Sequence, residues 1–175
     1  PVPPSLIRDF NHILEGGDVY TPFGATEAMP LTMMTGREIL AETAALSEAG
    51  AGMCVGRPTR GNTLEVIPIT DDPIPAWDET LPLPQREIGE IVVKGPVVTR
   101  QYLNRPRQTA EAKIYEKVNL TPPAPLSKKA LERGGAKRVD VWHRMGDLGY
   151  FDEKGRLWFC GRKSHRVETN KGLLL

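Results

Sequence analysis

Cysteine is scarce in this chain. Its 175 residues include only Cys54 and Cys160, too few and too far apart for a disulfide framework or a zinc site. Both sit in apolar settings, Gly52-Met53-Cys54-Val55 and Trp158-Phe159-Cys160, which read as small buried hydrophobes rather than catalytic thiols. Excess charge of one sign is missing too. The balance of 23 basic against 22 acidic residues leaves +1, which excludes a general nucleic-acid or anionic-membrane surface. No apolar run approaches the ~20 residues needed to span a bilayer. The opening Pro1-Val2-Pro3-Pro4 has no basic region leading into an apolar stretch, so it does not read as a secretory signal. A reducing cytoplasm is the expected location.

What is present suits a packed domain. Hydrophobic residues make up 39% and charged residues 26%, enough to build a core. Leu6, Ile7, Phe10, Ile13 and Leu14 recur at spacings of three and four, predicting a helix that starts near Pro4 or Ser5 and stops at Gly16-Gly17. Asp18-Val19-Tyr20 predicts a short strand entering a Pro22–Glu27 loop, and the Ala-, Glu- and Leu-rich stretch from Gly36 through Leu46 a second helix.

From Gly52 the pattern turns to strands. Leu64 to Ile69 alternates, Ile88 to Lys94 is β-rich, and Gly149 to Phe159 reads as a hairpin whose polar turn ends at Gly155. The expected organisation is an α/β layer over 1–50, a β subdomain over 51–114, an insertion over 115–141 and a hairpin over 142–163. Residues 164–175 then begin a further unit. The 115–141 stretch is set apart by its prolines and by a basic half without an apolar face. It reads as a solvated surface loop before it reads as a basic recognition arm.

Three short elements carry chemistry. In Phe23-Gly24-Ala25-Thr26-Glu27, an aromatic ring beside a glycine lets a flat ligand slide against the backbone. Thr26 offers a hydroxyl to a phosphate, and Glu27 a hard carboxylate suited to Mg²⁺. Taken alone, the element reads equally as a capped turn before a helix. Asp147, in Met145-Gly146-Asp147-Leu148, can accept from both hydroxyls of a ribose, or can simply bond its own turn. Arg162, in Gly161-Arg162-Lys163, can bind ribose or phosphate oxygens, or form a surface ion pair. His143 and His165 lack metal-ligand spacing to a second His, Cys or acid. Neither a Gly-x-Ser-x-Gly elbow nor a Gly-x4-Gly-Lys-Ser/Thr phosphate loop is present.

In this order the elements resemble the adenylate-forming superfamily of acyl-CoA synthetases, peptide-synthetase adenylation domains and luciferases. Val55-Gly56-Arg57-Pro58, the Gly89–Gly95 segment running to Tyr102, and Trp142-His143-Arg144-Met145-Gly146-Asp147 extend the likeness. So does Gly161-Arg162-Lys163-Ser164. Met145 stands where the family usually has Thr. The wording around Thr21–Ala28, Trp142–Asp147 and Trp158–Val167 is similar to the β-lactone synthetases of bacterial olefin biosynthesis, often labelled long-chain fatty-acid CoA ligases.

The resemblance implies the C-terminal part of a large N-terminal domain, an α/β layer followed by a distorted antiparallel β-barrel. It implies ATP or AMP and Mg²⁺ as cofactors, leaves room for CoA, and implies a fatty-acid or β-hydroxy fatty-acid substrate. Phe23 and Gly24 would face adenine, and Thr26 and Glu27 would be catalytic, Glu27 holding Mg²⁺. Asp147 and Arg162 would hold ribose and phosphate, and Ser164 would be the hinge. The family's phosphate loop lies upstream of these motifs and its lysine-bearing domain downstream, so the expectation is a fragment that needs the rest of the enzyme and is inactive alone. Two rival readings are an inert remnant that binds nucleotide weakly and a small β-rich module that uses the basic insertion.

Overall fold

A computed structural model describes residues 2–116, 140–169 and 172–174. Helix α1 spans Pro4–Ile13, with a proline in its first turn where a missing N–H costs nothing. Its apolar stripe is only partly used: Ile7 is fully buried, while Leu6, Phe10, Ile13 and Leu14 are exposed.

The chain then makes a hairpin where a loop was expected. Strand β1 (Tyr20–Ala25) pairs antiparallel with β2 (Ala28–Thr35), with Thr26 and Glu27 as the two-residue turn. The aromatic-Gly-x-Thr-Glu element therefore closes a hairpin, and the alternative of a helix-capping turn is excluded. Pro30 obscured β2 in the sequence, because proline lacks the N–H a strand ladder requires. The register explains its tolerance. Phe23 faces Thr32 and Ala25 faces Ala28, so residues 29–31 bulge past Gly24 without ladder partners.

The predicted second helix is present in three registers: α2 (Gly36–Glu38), a π turn (Ile39–Thr43) and α3 (Ala44–Glu48). Thr35 caps it, accepting from the Glu38 amide while its own amide donates to the Glu38 carboxylate at 3.0 Å. Strands β3 (Met53–Pro58), β4 (Thr63–Ile67) and β5 (Gly89–Lys94) follow, the last two close to the predicted strands. Next come a short helix α4 (Pro106–Ala112) and strand β6 (Lys113–Tyr115), then β7 (Val141–Phe151) and β8 (Leu157–Arg162), the two arms of the predicted hairpin. A single turn, Lys163–His165, leads to a small ribbon of β9 (Val167–Thr169) and β10 (Gly172–Leu174).

One antiparallel sheet runs β1-β2-β3-β8-β7-β5-β4, with β6 also on β7. It crosses residue 50, because β2 pairs with β3 at Thr32↔Pro58 and Met33↔Arg57. The expected barrel does not close: β1 and β4 are the two ends of the path among the described residues. Strand β7 is central. Its first half, 141–143, pairs with β6, and its second half, 147–151, pairs with β8. The switch falls at Gly146, whose φ of +66° is a left-handed conformation that a side chain would strain.

Of the expected 115–141 insertion, residues 117–139 lie outside the described residues. Its ends meet: Tyr115 faces Val141 across the β6–β7 ladder, and the Glu116 amide donates to the Asp140 carbonyl at 3.4 Å.

The main core joins both hairpins. Phe23, Ala28 and Leu31 pack with Val55, Val66, Ile91, Met145 and Leu157. A second cluster around Trp158 holds α1 and the π turn through Ile7 and Ile39. Cys54 belongs to that cluster, and Cys160 is half-buried. Burial raises both thiols, Cys160 to about 11, as expected for inert cysteines. We expect Leu157→Ala, at a fully buried position, to lower unfolding free energy by about 3 kcal/mol, read from the urea midpoint.

Candidate functional site

The site is built from the tips of two hairpins. In the first, Gly24 lies so close to β2 that a Cβ there would stand 2.5 Å from the Ala28 carbonyl oxygen. Only glycine fits, and the backbone beside the turn is left bare. Phe23, 8% exposed, is a wall residue rather than a free ring. It packs against Phe159 with centroids 6.0 Å apart and planes tilted by 53°. Thr26 is exposed at the turn and Glu27 half-buried.

In the second hairpin, Asp147 on β7 lies directly opposite Arg162 on β8. The guanidinium donates to the Asp147 carboxylate at 2.7 Å. Asp147 is buried, and burial pushes its carboxyl above the ordinary range, with Arg162 offsetting part of the rise. Arg162 is half exposed, so its remaining donors reach solvent.

The sheet brings these tips together. One cavity of ≈ 510 Å³ is lined by Phe23, Gly24, Thr26, Glu27, Asp147 and Arg162, along with neighbours from β1, β3 and the π turn. The six predicted contact residues, drawn from two ends of the sequence, share one wall. Ser164, the predicted hinge, stands apart: it is exposed in the single turn after β8 and lines neither this cavity nor its neighbour.

That neighbouring cavity, of ≈ 630 Å³, shares Ala25, Glu27 and Arg162 with the first and adds Tyr102, Arg105 and His143 among others. Glu27 thus stands between the two. Burial pushes its carboxyl upward, but the Tyr102 hydroxyl, its own backbone amide, His143 and Lys113 together hold it below its ordinary value. Tyr102 donates to the Glu27 carboxylate at 2.9 Å. Burial and that carboxylate raise the phenol to about 12. Lys113 is 1% exposed, and burial lowers its ammonium to about 8 despite the pull of Glu27. His143 faces Lys113 across the β6–β7 ladder. Burial, then the nearby ammonium, depress it to about 4.

A second polar group lies behind the site. Glu90, 1% exposed at its side chain, accepts from Arg144 at 2.6 Å and from Lys163 at 3.1 Å. Arg144 also donates to the carbonyls of Thr70, Asp72 and Glu111. Every charge in this group is paired or hydrogen-bonded, which burial demands. The turn bearing Ser164 is thereby tied to the sheet on its Lys163 side. Sequence reading missed Tyr102, Lys113, Glu90, Arg144 and Lys163 as members of a site. Tyr102, Glu90, Arg144 and Lys163 lay in stretches that carry the resemblance without being singled out, and Glu90 stood out further as an acid in an otherwise apolar strand next to Gly89; Lys113 carried no signal.

A divalent cation suits Glu27. Among the described residues no group of three or more His, Cys, Asp and Glu is placed to hold a metal. One carboxylate beside an open cavity is the donor set that Mg²⁺ uses when phosphate oxygens and water complete its octahedron.

No protein-family model matches the chain. Among curated proteins it is 45% identical, over 99% of its length, to an olefin beta-lactone synthetase of Stenotrophomonas maltophilia. It is 43% identical, over the same share, to one of Xanthomonas campestris. It covers 29% and 28% of those two proteins. Among solved structures it superposes on the amide bond synthetase McbA of Marinactinospora thermotolerans with a TM-score of 0.64, at 22% identity over 99% of this chain and 27% of that one. O-succinylbenzoate coenzyme A synthetase of Bacillus subtilis, solved with ATP and magnesium ion, gives 0.61 at 20% identity, over 99% of this chain and 27% of that one. The fold is that of part of an adenylate-forming enzyme. The chain's 175 residues span somewhat over a quarter of the length of the curated relatives it matches, and the sheet found here carries both hairpin tips. No helix among the described residues is long and apolar enough to cross a membrane.

The depressed His143 makes stability pH-dependent. Its folded-state value, about 4, lies below the unfolded value of 6.5, so its contribution is complete above pH ~6.5 and is lost as pH falls toward 4. We expect His143→Phe to remove about 2 kcal/mol of the destabilisation seen at pH 5, measured by urea unfolding of both proteins between pH 7 and 4.5.

Proposed function

We propose that this chain forms the nucleotide-facing part of an ATP-dependent ligase that activates a long-chain β-hydroxy fatty acid as its acyl adenylate and closes it to a β-lactone. One observation carries the reading: Phe23, Gly24, Thr26, Glu27, Asp147 and Arg162 line a single cavity of ≈ 510 Å³. Likeness to two olefin beta-lactone synthetases at 43–45% identity supports the choice of substrate.

The chemistry follows from what each group offers. The Phe23 wall and the bare Gly24 backbone accept the flat base. Asp147 keeps one oxygen on Arg162 and accepts ribose hydroxyls with the other. Arg162 spreads positive charge toward ribose and phosphate. Thr26 donates its hydroxyl to the α-phosphate, and Glu27 would hold Mg²⁺, which when bound would offset charge developing on the phosphates.

The substrate carboxylate attacks the α-phosphorus and pyrophosphate leaves. The β-hydroxyl then attacks the acyl carbon, loses its proton and expels AMP, closing the four-membered ring. A long-chain acyl-CoA synthetase would differ only in using a thiol for this second attack. Ser164 serves as the pivot of the segment that follows.

Calorimetry tests the assignment. ATP with Mg²⁺, and AMP alone, should both bind. Asp147→Ala should weaken both by about 10–100-fold, the loss of charge-assisted bonds, whereas Glu27→Gln should weaken only ATP with Mg²⁺. Unchanged affinity in Asp147→Ala would remove the ribose role and the reading with it. The 175 residues alone are expected to show no carboxylate-dependent pyrophosphate exchange, and exchange above a Glu27→Ala control would contradict that.

A further inference from the structure

We infer that Tyr102 is a positioning residue, fixing the Glu27 carboxylate for its cation. The inference rests on the assignment of Glu27 as the Mg²⁺ ligand. Glu27 sits at a two-residue turn, where a side chain has no helix or ladder to orient it. Its neighbours supply what the turn lacks. The Glu27 carbonyl accepts from the Thr99 amide at 2.8 Å, and its carboxylate accepts from the Tyr102 hydroxyl at 2.9 Å. The 99–102 segment therefore grips the turn by both backbone and side chain.

That segment is itself braced. The Tyr102 amide donates to the Thr109 hydroxyl at 3.0 Å, and that hydroxyl donates to the Arg105 carbonyl at 2.8 Å, which roots Tyr102 in α4. The buried Lys113 ammonium donates to the carbonyl and hydroxyl of Thr99 and stands 5.7 Å from the centre of the Tyr102 ring. These bonds leave the tyrosine little freedom to swing away.

The donor's chemistry matters as much as its place. A lysine or arginine on Glu27 would cancel the charge that draws a dication. A phenol donates one hydrogen bond and leaves the carboxylate its full charge, and the lysine that supports the phenol is bonded to Thr99 instead. Groups bonded to a metal ligand in this way set its orientation and basicity, and losing one typically costs 10–100-fold in metal affinity.

The test uses the polypeptide encoded by the whole reading frame that contains this chain, with Mn²⁺ as a paramagnetic probe titrated at saturating ATP. Tyr102→Phe should raise the half-saturating Mn²⁺ concentration about tenfold. AMP affinity and the unfolding midpoint should stay within twofold and within error of wild type, respectively. Thr109→Val, which frees the Tyr102 backbone without touching the carboxylate, should shift Mn²⁺ in the same direction by a smaller factor. A wild-type Mn²⁺ response in Tyr102→Phe, together with loss of response in Glu27→Gln, overturns the inference and leaves the role of Glu27 standing. Equal loss of AMP and Mn²⁺ binding in Tyr102→Phe also overturns it, because the tyrosine would then support the whole cavity. A wild-type Mn²⁺ response in Glu27→Gln, or no nucleotide binding at all, removes the underlying assignment and the inference together.

Discussion

Everything at the site depends on the register between β7 and β8. Because Asp147 falls opposite Arg162, a buried carboxylate meets a half-exposed guanidinium at the mouth of a cavity rather than inside the core. A slip of β8 by one residue would turn Arg162 to the other face of the sheet and leave Asp147 where it is. Asp147 would then be buried without a partner, a change costing several kcal/mol. The core pins the register: Leu148 and Leu157, both fully buried, flank the hairpin's pairing. Apolar packing therefore decides where the charges meet.

Much of the fold was legible in sequence for a simple physical reason. Where burial is one-sided, period and composition report it, as in Leu64–Ile67 of β4 and in the β7–β8 hairpin with its Gly155 turn. The first hairpin was illegible because a bulge at Gly24 and a proline in β2 broke the alternation that signals a strand. Barrel closure was an expectation of resemblance, and closure depends on which strands meet at the edges, which no local pattern encodes. The six residues singled out in short motifs line one cavity because the sheet brings the two hairpin tips together. Tyr102 and Lys113 were not singled out, because a lysine in Ala112-Lys113-Ile114 looks like an ordinary solvated residue until β6 is laid against β7.

The site's electrostatics are arranged around burial rather than against it. Lys113 and His143 sit inside the sheet layer, and the cost of dehydration lowers the affinity of both for protons. Glu27, nearer the surface, is held below its ordinary value against burial by neutral donors and by the Lys113 ammonium. Glu90 takes the opposite course, bound directly by two cations. Two glutamates of one small sheet thus end in different states. One is locked into the framework, and the other keeps a charge that a ligand can use.

The meeting of Tyr115 with Val141, and of the Glu116 amide with the Asp140 carbonyl, has a consequence for how such a chain can change over time. The ladder itself brings together the two ends of the segment between β6 and β7, so whatever length of polypeptide lies between 116 and 140 begins and ends at one fixed point. The entropy of closing a loop grows only with the logarithm of its length. That junction is therefore a place where sequence can be gained, lost or replaced without moving the strand that carries His143, Arg144 and Asp147. It separates the part of the chain free to diversify from the part that must stay in register.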